Sequence, residues 1–448
     1  MFPISKEKVE SSFIFLFLLL LALFIGKSLT ILSPAKSLGI GLGLLAFLIT
    51  FLRPEFGLYV IIFSMLLSPE LKVGGLPGRD VVIRLEDLLL MIVTFTWLAK
   101  TAINKELNLF KKGPLNLPIA FYLFACILTT LIGIIQGPRL IPAKGFFYIL
   151  KYTEYFLLFF MVSNSLRDKS QIQRFLVFFF LVDAIVCFYG FYQIIGGVGR
   201  VTAPFEGQVG EPNTLGGYFI LLFGILFGLF LYSKSRHQQF WVGGLLVLMI
   251  FPYLFTLSRA SYMAFYPMFL TLIIFSDKKR FLGFLLFLGT LFALLALPSN
   301  VRNRIGYTFV PEASQPVQRI GPLSFDPSTS SRIVSWKICM KEWRKRPLFG
   351  YGVTGFGFID GQYVRTLVET GIIGITAFLF LLSAIFKEVL KRFRESQDNL
   401  YKGLSLGLLA GFVGLLVHAI GSNTFIIIRI MEPFWFLSAI VITTPELK

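Results

Sequence analysis

Long runs without a single charged residue recur along this chain, as at 13–25, 221–231 and 281–297, and they set the solvent in which it folds. With their apolar flanks such runs approach the roughly 20 residues that match a hydrocarbon core of roughly 30 Å. The 448 residues are 56% hydrophobic and only 15% charged, with a mean hydropathy of +0.77. A water-facing surface does not fit that composition, so the solvent is lipid. The pattern predicts an all-α polytopic integral membrane protein with about fourteen transmembrane helices and a partly helical extracytoplasmic loop before the last three. Spans start near Phe13, Ser37, Glu55, Val82, Leu117, Gly145, Arg174, Thr214, Phe240, Ala260, Phe281, Gln362, Gly403 and Thr424. The short ones at Ser37 and Glu55 also admit a re-entrant pair. The first run follows Lys6 and Lys8 as in a signal peptide, but no small-residue cleavage site follows it and further spans do, so it reads as a retained helix.

The net charge of +18 would suggest nucleic acid as a partner in a soluble protein; here it reports topology. An even number of spans puts both termini on one side. With that side cytoplasmic, the inside loops hold Lys100, Lys105, Lys111 and Lys112, then Arg167, Lys169 and Arg174, then Lys234 and Arg236. They continue with Lys278, Lys279 and Arg280, and finally Lys387, Lys391, Arg392, Arg394 and Lys402. The short outside loops are poorer in basic residues. Four regions follow: an N-terminal bundle over 1–212, further spans over 213–298, the extracytoplasmic loop over 299–361, and three spans over 362–448. Cys126, Cys187 and Cys339 give neither a disulfide framework nor a zinc spacing.

Within the loop, Ser330 or Ser331 is suited to cap a helix whose Ile333, Trp336, Met340 and Trp343 form an apolar stripe, with Lys337, Lys341, Arg344 and Lys345 around the rest. Pro347 and the series Gly350, Gly352, Gly355 and Gly357 end it. Such a helix suits the membrane interface, or packs its stripe on the bundle. Polar groups gather at the predicted outer ends of spans: Arg200, Glu206, Glu211, Asn213, Ser258, Arg259, Arg332 and Asp360. An arginine pinched between two apolar spans, as Arg259 is, either anchors at the interface or needs an anionic partner.

Ser258-Arg259-Ala260-Ser261 resembles the Ser-Arg-small motif that opens the O-antigen ligase and polymerase domain. Arg332, Trp336, the segment Arg346-Pro347-Leu348-Phe349-Gly350-Tyr351-Gly352 and Phe356 are similar to that family's Arg, Trp, Pro-x-x-Gly-x-Gly and Phe series. Asp360-Gly361-Gln362-Tyr363-Val364, followed by Glu369-Thr370-Gly371-Ile372-Ile373-Gly374, resembles its His-Asn-x-x-Leu and Glu-x-Gly-x-x-Gly stretch. Upstream, Glu211-Pro212-Asn213 before a span looks like a further family feature. The likeness covers the second half of the chain; the first half matches in hydropathy alone. Asp360 stands where ligases of the family carry histidine, a departure closer to the polymerase branches.

The resemblance implies a multi-pass protein of the bacterial cytoplasmic membrane that transfers a glycan from an undecaprenyl diphosphate carrier to a sugar hydroxyl. The acceptor is another glycan for a polymerase or lipid A core for a ligase, with membrane lipid and a chain-length regulator as further partners. Arg259, then Arg200 and Arg332, are the candidates to bind the diphosphate as charge builds on it. Asp360, then Glu211, are the candidates to accept the acceptor's proton, with inversion; Asn213 and Tyr363 join the substrate-binding set. No cofactor or metal is expected, since no clustered acidic pair is present.

His418 near the outer end of a span reads as packing or as a catalytic group, and His237 as a surface turn residue. Lys151 with Glu154, and Arg429 with Glu432, are spaced to neutralise one another on one helix face, or to line a polar glycan path. The alternative from another class is a lipid-linked oligosaccharide flippase, and a third is a non-enzymatic scaffold. Against the transporter, no internal repeat is seen and the polar residues gather at one face.

Overall fold

The computed structural model describes residues 47–76, 79–103, 112–137, 140–206, 210–307, 319–320, 323–324, 326–357 and 359–443. The expected span at Phe13 and the first part of that at Ser37 lie outside them, while 47–52 are helical. The chain divides into two compact units, Met1–Ser64 with Ser68–Leu109, and Met65–Leu67 with Phe110–Lys448. The first holds most of α1 (Pro54–Leu67), a hairpin of β1 (Glu70–Leu76) and β2 (Arg79–Arg84), and α2 (Leu85–Ile103). The strands pair antiparallel from Glu70 opposite Arg84 to Leu76 opposite Arg79, with a register shift between Lys72 and Gly74. Asp87 accepts the Arg84 amide at 3.0 Å, and acidic residues in the first turn of α2 suit the positive end of a helix.

The second unit contains α3 (Asn116–Ile135), α4 (Pro142–Ser165), α5 (Lys169–Ile195), α6 (Pro212–Tyr232), α7 (Arg236–Phe255), α8 (Arg259–Phe275) and α9 (Lys279–Ala296). After them come α10 (Ser299–Gly306), a minimal hairpin of β3 (Arg319–Ile320) and β4 (Leu323–Ser324), α11 (Pro327–Trp343), α12 (Gln362–Glu395), α13 (Asn399–Gly421) and α14 (Ile428–Thr443). Apart from the two short hairpins, the described elements are helical.

Among the described residues seven helices are long and apolar enough to cross a membrane: α3, α4, α5, α6, α7, α12 and α13. This corrects the expected count of about fourteen. Length is one reason. The 14 residues of α1, 17 of α8 and 16 of α14 rise roughly 21, 26 and 24 Å, short of a core of roughly 30 Å. The last is shortened because a 3₁₀ turn (Thr424–Ile426) takes up the start of the expected span.

Helices α6 and α13 meet through glycine. A Cβ on Gly228 would stand 2.2 Å from the Gly403 carbonyl oxygen, and one on Gly407 2.6 Å from the Ile225 Cα. Gly224 and Gly228 on one helix, and Gly403, Gly407 and Gly411 on the other, recur every fourth residue and so share a face. That spacing lets backbones touch where lipid offers no hydrophobic drive to helix association. Elsewhere aromatic edges fill the contact: Phe156 and Phe159 meet Trp435 of α14 edge-on, with ring centroids 4.9 and 5.6 Å apart.

Helix α12 is not one continuous span. Gly371 at φ +63 and ψ −164 breaks it, and the glycine-rich segment after α11 fills the break. The amides of Tyr351 and Gly352 donate to the carbonyls of Val368 and Glu369 at 3.2 and 2.7 Å. Those of Ile372 and Ile373 donate to Pro347 and Leu348 at 2.9 and 3.3 Å. The backbone groups orphaned by the break thus find partners inside the protein, as non-helical backbone in a bundle requires. The first half of α12 neutralises its own charges, with Arg365 Nε 3.0 Å from Glu369 Oε1.

Helix α11 starts earlier than expected. Its N-cap is Asp326, whose side chain accepts the Thr329 amide, with Pro327 at N1; neither Ser330 nor Ser331 caps it. Aspartate followed by proline is the stronger start signal, because the carboxylate satisfies an orphan amide and proline lacks one. Two residues of its stripe pack inward: Trp336 and Trp343 lie on a cluster of Cys339, Tyr351, Ile359 and Val368. Burial pushes the Cys339 thiol up to about 11.

Candidate functional site

Arg259 opens α8 immediately after a tight turn. Leu257 sits at φ +50, a left-handed conformation that non-glycine residues seldom adopt. Ser258 caps the helix by accepting the Ser261 amide, and the Ser261 hydroxyl donates to Ser258 Oγ at 2.8 Å. The turn is held from the other side by Arg200, whose Nε donates to the Thr256 carbonyl at 3.0 Å and whose Nη2 donates to that of Leu257 at 3.3 Å. These carbonyls belong to the C-cap of α7 and the residue after it, where a cation also complements the helix dipole. Arg200 therefore positions the turn that presents Arg259.

The Arg259 guanidinium has a partner in this structure. Its two Nη atoms meet the two carboxylate oxygens of Asp326 at 2.7 and 3.0 Å, a fork-to-fork pair. Asp326 is fully buried while the Arg259 side chain is 14% exposed. Burial alone would raise the Asp326 carboxyl; the hydrogen bonds from Arg259 and Thr329 outweigh it and hold the group below the ordinary carboxylate range. One carboxylate thus ties α8 to α11 while capping α11.

Six residues along α11, roughly 9 Å at 1.5 Å per residue, Arg332 reaches the second carboxylate. Its Nε lies 3.4 Å from Asp360 Oδ2. Asp360 is 36% exposed, and its carbonyl accepts the Trp336 indole N–H at 2.7 Å. The segment behind it is pinned to the α13–α14 connection: Asn423 donates to the Ile359 carbonyl at 2.7 Å and the Phe425 amide to Gln362 Oε1 at 3.1 Å. The N-cap of α12 is Gly361 at φ +111, with no side-chain cap, so the Asp360 carboxylate faces Arg332 and does not cap the helix. Tyr363 has its hydroxyl engaged by the Leu416 carbonyl at 2.7 Å.

Other predicted residues stand differently. Glu206 Oε2 accepts the Glu211 amide at 2.8 Å and its Oε1 lies 3.6 Å from Nη1 of Arg429. Arg429 is fully buried and also donates to the Pro204 carbonyl at 2.9 Å, so this charge anchors the loop before α6. Glu211 is exposed at the N-cap of α6 and accepts the Thr214 hydroxyl at 3.0 Å. Asn213 lies in the first turn of α6, its backbone beside the buried His418 ring, whose Nδ1 is 2.8 Å from Thr424 Oγ1. Lys151 and Glu154 pair at 3.2 Å. His237 accepts the Trp241 indole N–H one turn on, at the exposed start of α7.

Sequence reasoning missed two members of this constellation. Asp326 was signalled by Asp-Pro-Ser-Thr, a cap pattern, but nothing in the sequence joins it to Arg259 across 67 residues. Arg304 on α10 is the other. Burial first, then repulsion from Arg304, Arg259 and Arg332, pulls Arg200 down to about 10. Arg304 is likewise lowered by burial and by Arg259 and Arg332, against the pull of Asp326. Guanidinium groups that are half-buried and repel one another have the chemistry to accept an anion. Among the described residues no three His, Cys, Asp or Glu side chains stand together as metal ligands. No protein-family model matches the chain, and no curated protein matches it.

Proposed function

We propose that the chain transfers a glycan from an undecaprenyl diphosphate carrier to a sugar hydroxyl at the outer face of the bacterial cytoplasmic membrane, as an O-antigen or exopolysaccharide polymerase or an O-antigen ligase. The proposal puts both termini on the cytoplasmic side, as the alternation of basic loops suggests. The observation that carries the reading is the convergence of Arg200, Arg259 and Arg332 with Asp360 around α8, α11 and the start of α12. The ordered likeness of the second half of the sequence to that family supports it.

In this reading the acceptor oxygen bonds to the anomeric carbon as the bond from that carbon to the diphosphate oxygen breaks, and the electron pair leaves with the diphosphate. Guanidinium groups stabilise the charge that develops there. The hydroxyl proton passes to Asp360, whose Oδ1 takes no hydrogen bond from the described residues while Oδ2 faces Arg332. Attack opposite the leaving group inverts the anomeric centre. Asp326 keeps the Arg259 fork oriented, and the Nη atoms of Arg332, which have no hydrogen-bond acceptor among the described residues, are offered to the donor. Glycan or lipid A core is the acceptor, and a chain-length regulator is the protein partner of the polymerase form.

Purified protein in liposomes with a diphosphate-linked oligosaccharide tests the reading. A longer glycan identifies a polymerase and a lipid A conjugate a ligase. Leaflet exchange without a new glycosidic bond identifies a transporter and rejects the proposal.

A further inference from the structure

Among the described residues the site holds more guanidinium charge than the paired carboxylates neutralise. Arg200 feels repulsion from Arg259, Arg304 and Arg332, and Arg304 from Arg259 and Arg332. Among the described residues the carboxylates paired with this group are Asp326 on Arg259 and Asp360 on Arg332. Four cations against two anions leave two positive charges in excess. The four are not equally engaged. Arg259 gives both Nη atoms to Asp326, and Arg200 is bonded to the turn before α8. Arg304, on α10, has its Nε buried with no acceptor among the described residues. Buried donors are nearly always satisfied, and a guanidinium does not escape by losing its proton. An acceptor from outside the chain resolves both facts.

We propose that Arg304 is a further ligand for the diphosphate of the donor, offering it the buried Nε–H that no described residue accepts. The inference rests on the glycan-transfer reading above. A diphosphate esterified at both ends carries about two negative charges, about one per phosphate, which matches the excess. A phospholipid headgroup shares the phosphate chemistry with about half that charge.

The test uses the full chain in phosphatidylcholine nanodiscs, titrated with a polyprenyl diphosphate monosaccharide. Arg304→Gln is expected to weaken binding on the order of tenfold or more, the scale of a lost charge-assisted hydrogen bond. Arg304→Lys, which keeps the charge and guards against a folding defect, is expected to fall between that variant and wild type. Arg302→Gln, an exposed neighbour on α10, is expected to bind as wild type does. Equal affinity of wild type and both Arg304 variants overturns this inference and leaves the glycan-transfer reading standing. Absence of donor binding by wild type overturns both. Wild-type binding abolished by adding phosphatidylglycerol to the disc assigns the site to a headgroup and overturns the inference.

Discussion

Asp360 and Asp326 are two carboxylates with separable tasks, and substitution distinguishes them. Because Gly361, not Asp360, occupies the N-cap of α12, Asp360→Asn removes basicity without removing a cap. We predict that glycan transfer falls on the order of 10²-fold while the thermal midpoint stays within a degree or two of wild type, about half a kcal/mol or less. An active, equally stable variant would remove Asp360 from the chemistry. Asp326 is held below the ordinary carboxylate range by Arg259 and Thr329. Its contribution to stability is therefore complete above the unfolded value of about 3.9 and is lost as pH falls through the lowered folded value. We predict that thermal stability of wild type drops below about pH 4 more steeply than that of Asp326→Asn, which already lacks the charge; parallel profiles would contradict the pairing. At neutral pH Asp326→Ala should cost about 3 kcal/mol or more, since it strands a largely buried guanidinium and removes a cap.

At the scale of elements, the glycines divide into those that let the chain turn and those that let helices touch. Gly371 is the clearest of the first kind. Its φ is +63, and a Cβ there would stand 2.2 Å from the Leu348 carbonyl oxygen. Gly407 belongs to the second. We predict that Gly371→Ala and Gly407→Leu each cost several kcal/mol, on the scale of strained backbone and overpacking combined, and that thermal unfolding of purified protein shows it; midpoints equal to wild type would contradict the packing. The seam of α6 and α13 was legible as a four-residue repeat of glycine but was not read, because hydropathy weighs a glycine face no differently from any other apolar one. The glycine series after Pro347 was read as a tight loop. That it completes a broken helix was not readable, since the loop and the break lie some twenty residues apart. Apolar runs located most of the described helices but not α10 (Ser299–Gly306), while their lengths, and so the count of crossings, depended on turns such as the one before α14. In the site, Arg259 and Asp360 stood out by their places at span ends. Asp326 and Arg304 did not, because their importance comes from neighbours that only folding brings together.

For the whole molecule, orientation and reaction are the remaining consequences. In the proposed orientation the basic loops put Lys391 on the cytoplasmic side and α11 outside. In a cysteine-free background, a membrane-impermeant thiol reagent applied to intact cells should label Ser331→Cys, at an exposed position, and spare Lys391→Cys; the reverse pattern would invert the topology. The central claim is that this site breaks the bond between a glycan and a lipid diphosphate. It is tested most directly by following the donor's phosphorus by ³¹P NMR with purified protein, donor and acceptor in one vesicle preparation. The account predicts that the diphosphate diester signal is replaced by that of the monoester, in step with each new glycosidic bond. A donor whose phosphorus stays a diester while it is bound, or while it crosses between leaflets, would contradict it.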